Sequence, residues 1–298
     1  MLSGYLGARS PREMWGDMGV LSREEYVEQA YFFRCMGERL LAQIPMQELM
    51  AAVRDEVLAT TNLPHAIDFL LSELRHSGRF ASAMAKITHY FTPFQTYIME
   101  QAENERGRFD LRVALQILHR EAEYLGGEWS VQGVFLYQFE ALCRNRLSYD
   151  RGLKTMSLDP AYDDRWQKWI AQFRRRIGII DVADMIYVSS EHYIAQQTRL
   201  GRGLPAEDHP ILFGDKEGRI ALANRTKNPL FLFAAMQRHL GYPEVPRPQP
   251  VDQTPFLIPQ MMRLLEQLEQ RIKLIEDEQR QGAIDLNKFM SGQSFDAE

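Results

Sequence analysis

The stretch Glu73-Leu74-Arg75-His76 puts a carboxylate and an imidazole three residues apart, the spacing at which two side chains on one helix can share a metal ion. His119 and Glu123, at i and i+4, could supply two further ligands. An oxygen-activating di-metal centre in a helical bundle needs two Glu-x-x-His pairs and two more glutamates facing one core. The chain holds one such pair. At 100° per residue, Ile67, Leu70, Leu71 and Leu74 form one apolar face, and Glu73 and His76 fall roughly 110° to 170° from its centre. The pair is therefore expected on the side away from the core. A ferritin-like, metal-dependent oxidoreductase, with Glu73, His76, His119 and Glu123 as ligands, is the alternative reading rather than the first.

Other chemistry is excluded by inspection. There is no Gly-x-Gly-x-x-Gly, no Gly-Lys-Ser/Thr phosphate loop, no Gly-x-Ser-x-Gly elbow, no Cys-x-x-Cys and no His-Glu-x-x-His. No catalytic residue is assigned, no cofactor is implied, and a non-enzymatic protein is favoured. A second local feature is electrostatic. From Arg144 to Arg176 nine Lys and Arg face four Asp, giving +5 in a chain whose total is −5. Arg144, Arg146, Arg174, Arg175 and Arg176, with Tyr149, Tyr162, Trp166 and Trp169 interleaved, raise nucleic-acid binding as a third reading. Consecutive arginines fan around a helix instead of lining one groove, so the expectation is a solvated face with acidic partners in the chain and aromatics in the core.

These groups are carried by helices. Ser22 and Glu25 have capping-box spacing, with Leu21 placed to staple against Tyr26. Pro45, Pro64, Thr92-Pro93, Asp110, Ser130, Asp159-Pro160 and Asn228-Pro229 mark starts, and Gly78, Gly107, Gly126-Gly127, Gly178 and Gly241 mark stops. This punctuation predicts about ten helices in a bundle or stacked array, an all-α fold. Strand signals are sparse, and residues 177–188 fit a helix better than a strand. Segments 134–143 and 229–240 are apolar around most of their circumference and are expected at the centre. The irregular stretch 200–218 is the candidate subdomain break or functional loop. Residues 149–162 resemble the end of a tetratricopeptide repeat, but no second copy follows at the required period, and ordinary capping accounts for them.

The composition, 45% hydrophobic and 25% charged, is that of a globular chain, and a net −5 sets up no strong field towards nucleic acid or anionic membrane. Cys35 and Cys143 read as reduced thiols. The start lacks a basic and an apolar leader region, and the longest apolar run is too short to span a bilayer, so a cytoplasmic protein without membrane contact is expected.

The body is expected to occupy residues 1–242. Residues 243–259 hold six of the 14 prolines and read as a stiff spacer, which would reach roughly 50 Å if fully extended or could strap along the surface. Beyond it, Ile258, Met261, Leu265, Leu268, Ile272 and Ile275 follow a 3,4,3,4 spacing, the a/d seam of a short coiled coil. Glu269 and Lys273 form an i,i+4 pair, and Arg271 at g can meet Glu276 at e of a parallel partner. Met262 and Leu264 widen the stripe, as a helix folding back on its own domain would require. The helix is expected over 260–281. A tail at 282–298, without a predicted fixed structure, carries Ile284, Leu286 and Phe289, which suit a partner's groove. The first functional reading is thus a cytoplasmic scaffold or adaptor that self-associates, or binds a helical partner, through its C-terminal helix.

Overall fold

Among the described residues eight helices begin at a residue whose own side chain accepts from a backbone N–H of the first turn. The computed structural model describes residues 21–40, 45–104, 109–201 and 210–247, and, further on, residues 262, 265, 268, 269 and 271–273. Among the described residues there are thirteen helices and no strand, only two isolated bridges. They are α1 (Arg23–Arg39), α2 (Met46–Glu56), α3 (Leu63–Ser77), α4 (Phe80–Met84), α5 (Pro93–Ala102), α6 (Leu111–Gly126) and α7 (Val131–Arg144). After these come α8 (Tyr149–Met156), α9 (Asp164–Arg176), α10 (Val182–Val188), α11 (Glu191–Arg199), α12 (Asp215–Ala223) and α13 (Pro229–Leu240). The chain divides into two compact units, Met1–Pro248 and Gln249–Glu298.

Within the first unit the caps are those the sequence announces at Ser22, Asp110, Ser130 and Asn228, whose side chains accept from backbone N–H groups of the first turn. Thr92 and Gln95 complete a reciprocal capping box. Gly78 and Gly241 end their helices at φ of 67° and 69°, where a Cβ would be strained. The longest contact is between α1 and α6. They run antiparallel: a Cβ on Gly126 would lie 3.6 Å from that of Tyr26, and one on Gly37 would lie 3.6 Å from that of Leu115. His119 Nδ1 donates to Ala30 O midway, at 2.9 Å.

α7 is buried on nearly every side, as expected for 134–143. Phe135 and Phe139 on α7 meet Trp166, Trp169 and Phe173 of α9, with ring centroids 5.0 to 5.6 Å apart in tilted or edge contacts. Phe213, from the stretch expected to be a loop, completes this cluster.

Several expectations need correction. The helix count exceeds ten because α4, α8, α11 and α12, at five to nine residues, are too short to show a clear helical period. Asp159-Pro160 starts no helix. Asp163 caps α9, while Asp159 is buried and takes Ala161 N and Gln138 Nε2. Glu25 does not return to its own N-cap. Its carboxylate accepts from Asn62 N at 2.7 Å and Asn62 Nδ2 at 2.9 Å, closing the start of α3 from another helix. Helix α13 is not enclosed: it buries Leu232, Phe233 and Met236, but Leu230 is 46% and Phe231 63% exposed. Within 177–188 the helix begins only after Asp181, and Ile177 pairs with Ile180 across a tight turn.

The first residues of the proline stretch belong to the body. Val245 is buried, and Pro246 O accepts from Asn145 Nδ2 at 3.1 Å, so this part straps along the end of α7. Close packing also constrains α8, where a Cβ on Gly152 would lie 2.5 Å from Leu142 Cδ1. Gly152→Ala is expected to cost about 1–3 kcal/mol by overpacking the α7–α8 contact. Thermal unfolding should show this as a fall in Tm of several degrees, and an unchanged Tm would show that Leu142 moves aside freely.

Candidate functional site

The two metal-ligand pairs lie on separate helices and do not converge. On α3, Glu73 forms an ion pair with Lys86 and His76 is exposed. On α6, His119 is held by Ala30 O, and its Nε2 lies 3.9 Å from the exposed Glu123. Among the described residues no group of three or more His, Cys, Asp or Glu side chains is placed to hold a metal ion.

In the basic segment, Arg174 pairs with Asp150 at 2.6 Å, Arg151 with Glu100 at 2.8 Å and Arg144 with the buried Glu140. Trp166, Trp169 and Tyr162 are buried and offer no face to a nucleobase, while Tyr149 is partly exposed. Arg146 sits at φ 54°, just after the end of α7. Arg175 and Arg176 are exposed and form no ion pair among the described residues. Of the two cysteines, Cys35 is buried. Burial pushes the Cys143 thiol up to about 12, so it stays protonated and unreactive near neutral pH.

Sequence reading missed a buried polar chain. Gln138, on α7, donates from one Nε2 to Glu121 Oε1 at 2.7 Å and to Asp159 Oδ2 at 3.2 Å, and its Oε1 accepts from Tyr162 OH at 2.7 Å. Nearby, Gln95 Nε2 donates to Gln29 Oε1 at 2.9 Å. Gln29 reaches Tyr90 O, and Tyr90 OH donates to Glu25. A second anchor has Tyr242 OH donating to Glu140 Oε2 at 2.9 Å and to Phe233 O at 3.0 Å. The available signal was a glutamine and a glutamate inside the apolar run of α7, where burial obliges each polar group to find a partner.

Burial, reinforced by the neighbouring Asp159 charge, raises the Glu121 carboxyl to about 8, and burial raises Asp159 as well. Glu121 Oε2 has no hydrogen-bond partner among the described residues and is the atom left to carry the proton. Two carboxyls that hold a proton in this way can do acid–base chemistry where substrate reaches them. Both side chains are closed off from solvent, and neither lines the surface pockets of about 540 and 90 Å³ found among the described residues. The pair is therefore structural.

Of the expected partner-binding residues, Leu265, Leu268 and Ile272 are described. All three are helical and are 58%, 51% and 54% exposed. Met262 is exposed to the same degree, 58%. Ile258, Met261, Ile275, Ile284, Leu286 and Phe289 lie outside the described residues, as does Gly107. No family model, curated protein or solved structure matches the chain. Function must be argued from this geometry alone.

The Glu121 proton gives a pH dependence of definite sign. Between 4.5, its ordinary value, and about 8, the unfolded chain releases the proton while the folded chain keeps it. Stability therefore falls as pH rises through that window and levels off above it. Glu121→Gln keeps the shape and cannot ionise, so it should lack this contribution. From pH 5 to 8 the wild-type Tm is expected to fall relative to the variant by roughly several degrees. Parallel Tm curves for the two proteins would mean that Glu121 is already ionised in the folded state.

Proposed function

We propose that this chain is a non-enzymatic helical scaffold or adaptor of the cytoplasm that self-associates through its C-terminal helix. The observation that supports this most is the exposure of Leu265, Leu268 and Ile272, all at helical positions and each more than half exposed. Their 3,4 spacing is that of a coiled-coil seam. Fully burying one such side chain is worth about 1.5–3 kcal/mol, so a seam repeated on a second copy supplies a driving force that a lone helix of this length lacks. Glu269, Arg271 and Lys273 are exposed beside the seam, as flanking charges that set register should be. Among the described residues no helix is long and apolar enough to cross a membrane.

The reading is tested on the whole chain carrying Leu268→Asp and on a chain ending at Pro248. That end point keeps Val245 and Pro246, which pack with the body. One unpaired carboxylate in so short a seam costs several kcal/mol, on the order of the whole pairing energy. Both proteins are expected to show a lower assembly mass by light scattering than the unaltered chain, with the helicity of the body retained by circular dichroism. An unaltered chain that is already monomeric, or an unchanged mass with a large loss of thermal stability, would overturn self-association.

A further inference from the structure

We infer that the groove between α9 and α10 is a docking site for an acidic peptide segment that carries one bulky apolar side chain. The groove holds a pocket of about 90 Å³, a volume on the scale of one side chain, with Trp169 and Phe173 of α9 and Met185 and Val188 of α10 among its lining residues. The Trp169 indole is fixed, since its Nε1 donates to the buried Ser189 Oγ at 2.8 Å, so this wall is pre-formed.

The turn at one end presents apolar surface the fold does not use. Ile179 N and Ile180 N both donate to Arg176 O at 3.0 Å, and Gly178 takes φ 86°. This holds Ile179 outward at 85% exposure and Ile180, a pocket residue, at 37%. A polar residue at 179 would serve the turn equally well, and Ile179, next to Ile180 at the pocket, extends the apolar surface of the recess outward.

Charge names the occupant. Arg176 lines the pocket and Arg175 is its neighbour on α9, both exposed and without an ion pair among the described residues. Asp184 also lines the pocket and pairs with Arg225, Asp150 pairs with Arg174, and Asp181 accepts from Ala183 N and from Thr226 N. With Arg175, Arg176 and Arg225 set against Asp181 and Asp184, the rim keeps a net positive charge beside an apolar recess, which matches carboxylates flanking a single large apolar residue.

The pocket is lined by residues of the first unit, and Leu268→Asp is expected to leave peptide binding unchanged, so its fate is read separately from that of self-association. The probe is a fluorescein-labelled peptide with one phenylalanine flanked on each side by three glutamates, titrated against the full chain by fluorescence anisotropy. Saturable binding is expected, weakened about tenfold or more by Ile179→Ser and by the pair Arg175→Glu with Arg176→Glu. These positions are on the surface, and circular dichroism confirms that the fold is kept. A peptide with lysines for glutamates should bind the double charge-reversal variant better than the parent. Replacing the phenylalanine by serine should abolish binding. No binding at millimolar peptide, equal binding of the serine peptide, or tighter arginine-dependent binding of a single-stranded oligonucleotide would overturn the proposal, the last by showing a nucleic-acid surface instead.

Discussion

The amide of Gln138 is the interaction on which the body of this protein depends. It sits on the most enclosed helix and joins α6, through Glu121, to the connection between α8 and α9, through Asp159 and Tyr162. An amide can donate and accept at once, which makes it the one neutral side chain able to face two carboxyls and a phenol together. A second buried line, Gln95, Gln29 and Tyr90, reaches Glu25 and the start of α3. An all-helical body has no ladder of strand hydrogen bonds to fix how its layers register. Here a line of buried polar groups supplies that register, because each partner found in one place only is costly to lose.

Apolar packing fills the space around this line without specifying it so closely. The ring cluster of Phe135, Phe139, Trp166, Trp169, Phe173 and Phe213 brings the largest buried area into one place, and its edge-on contacts tolerate small shifts better than a hydrogen bond does. The close approach at Gly152 then sets how near α7 and α8 come together. The two kinds of contact divide the labour: this glycine and the rings determine spacing, and the amides determine alignment.

What was legible in the sequence follows from the range of the forces involved. Caps at Ser22, Thr92, Asp110, Ser130 and Asn228 depend on neighbours within three residues, and so they can be read directly. The same residue types mislead when a distant group outbids the local one. Asp159 turns inward to Gln138 instead of starting a helix at Pro160, and Glu25 closes a helix 37 residues away. Helix α13 shows the converse. Its apolar circumference suggested enclosure, yet Leu230 and Phe231 find no cover in the body. The metal-ligand spacing at Glu73 and His76 was legible, and so was its outward direction; the sealed Glu121–Asp159 pair was not, because its members come from elements 38 residues apart.

The strap after α13 has a mechanical meaning. Tyr242 is bonded to Glu140 and to Phe233 O, Val245 is buried, and Pro246 O is held by Asn145. A pull applied to the chain beyond Pro248 would therefore not peel α13 away from its end. It would load in turn a backbone carbonyl at the tip of α7, a buried valine and a phenol fastened to the middle of that helix, with resistance spread over contacts in shear. Few short segments are so well placed to transmit tension from the end of a chain to its innermost helix.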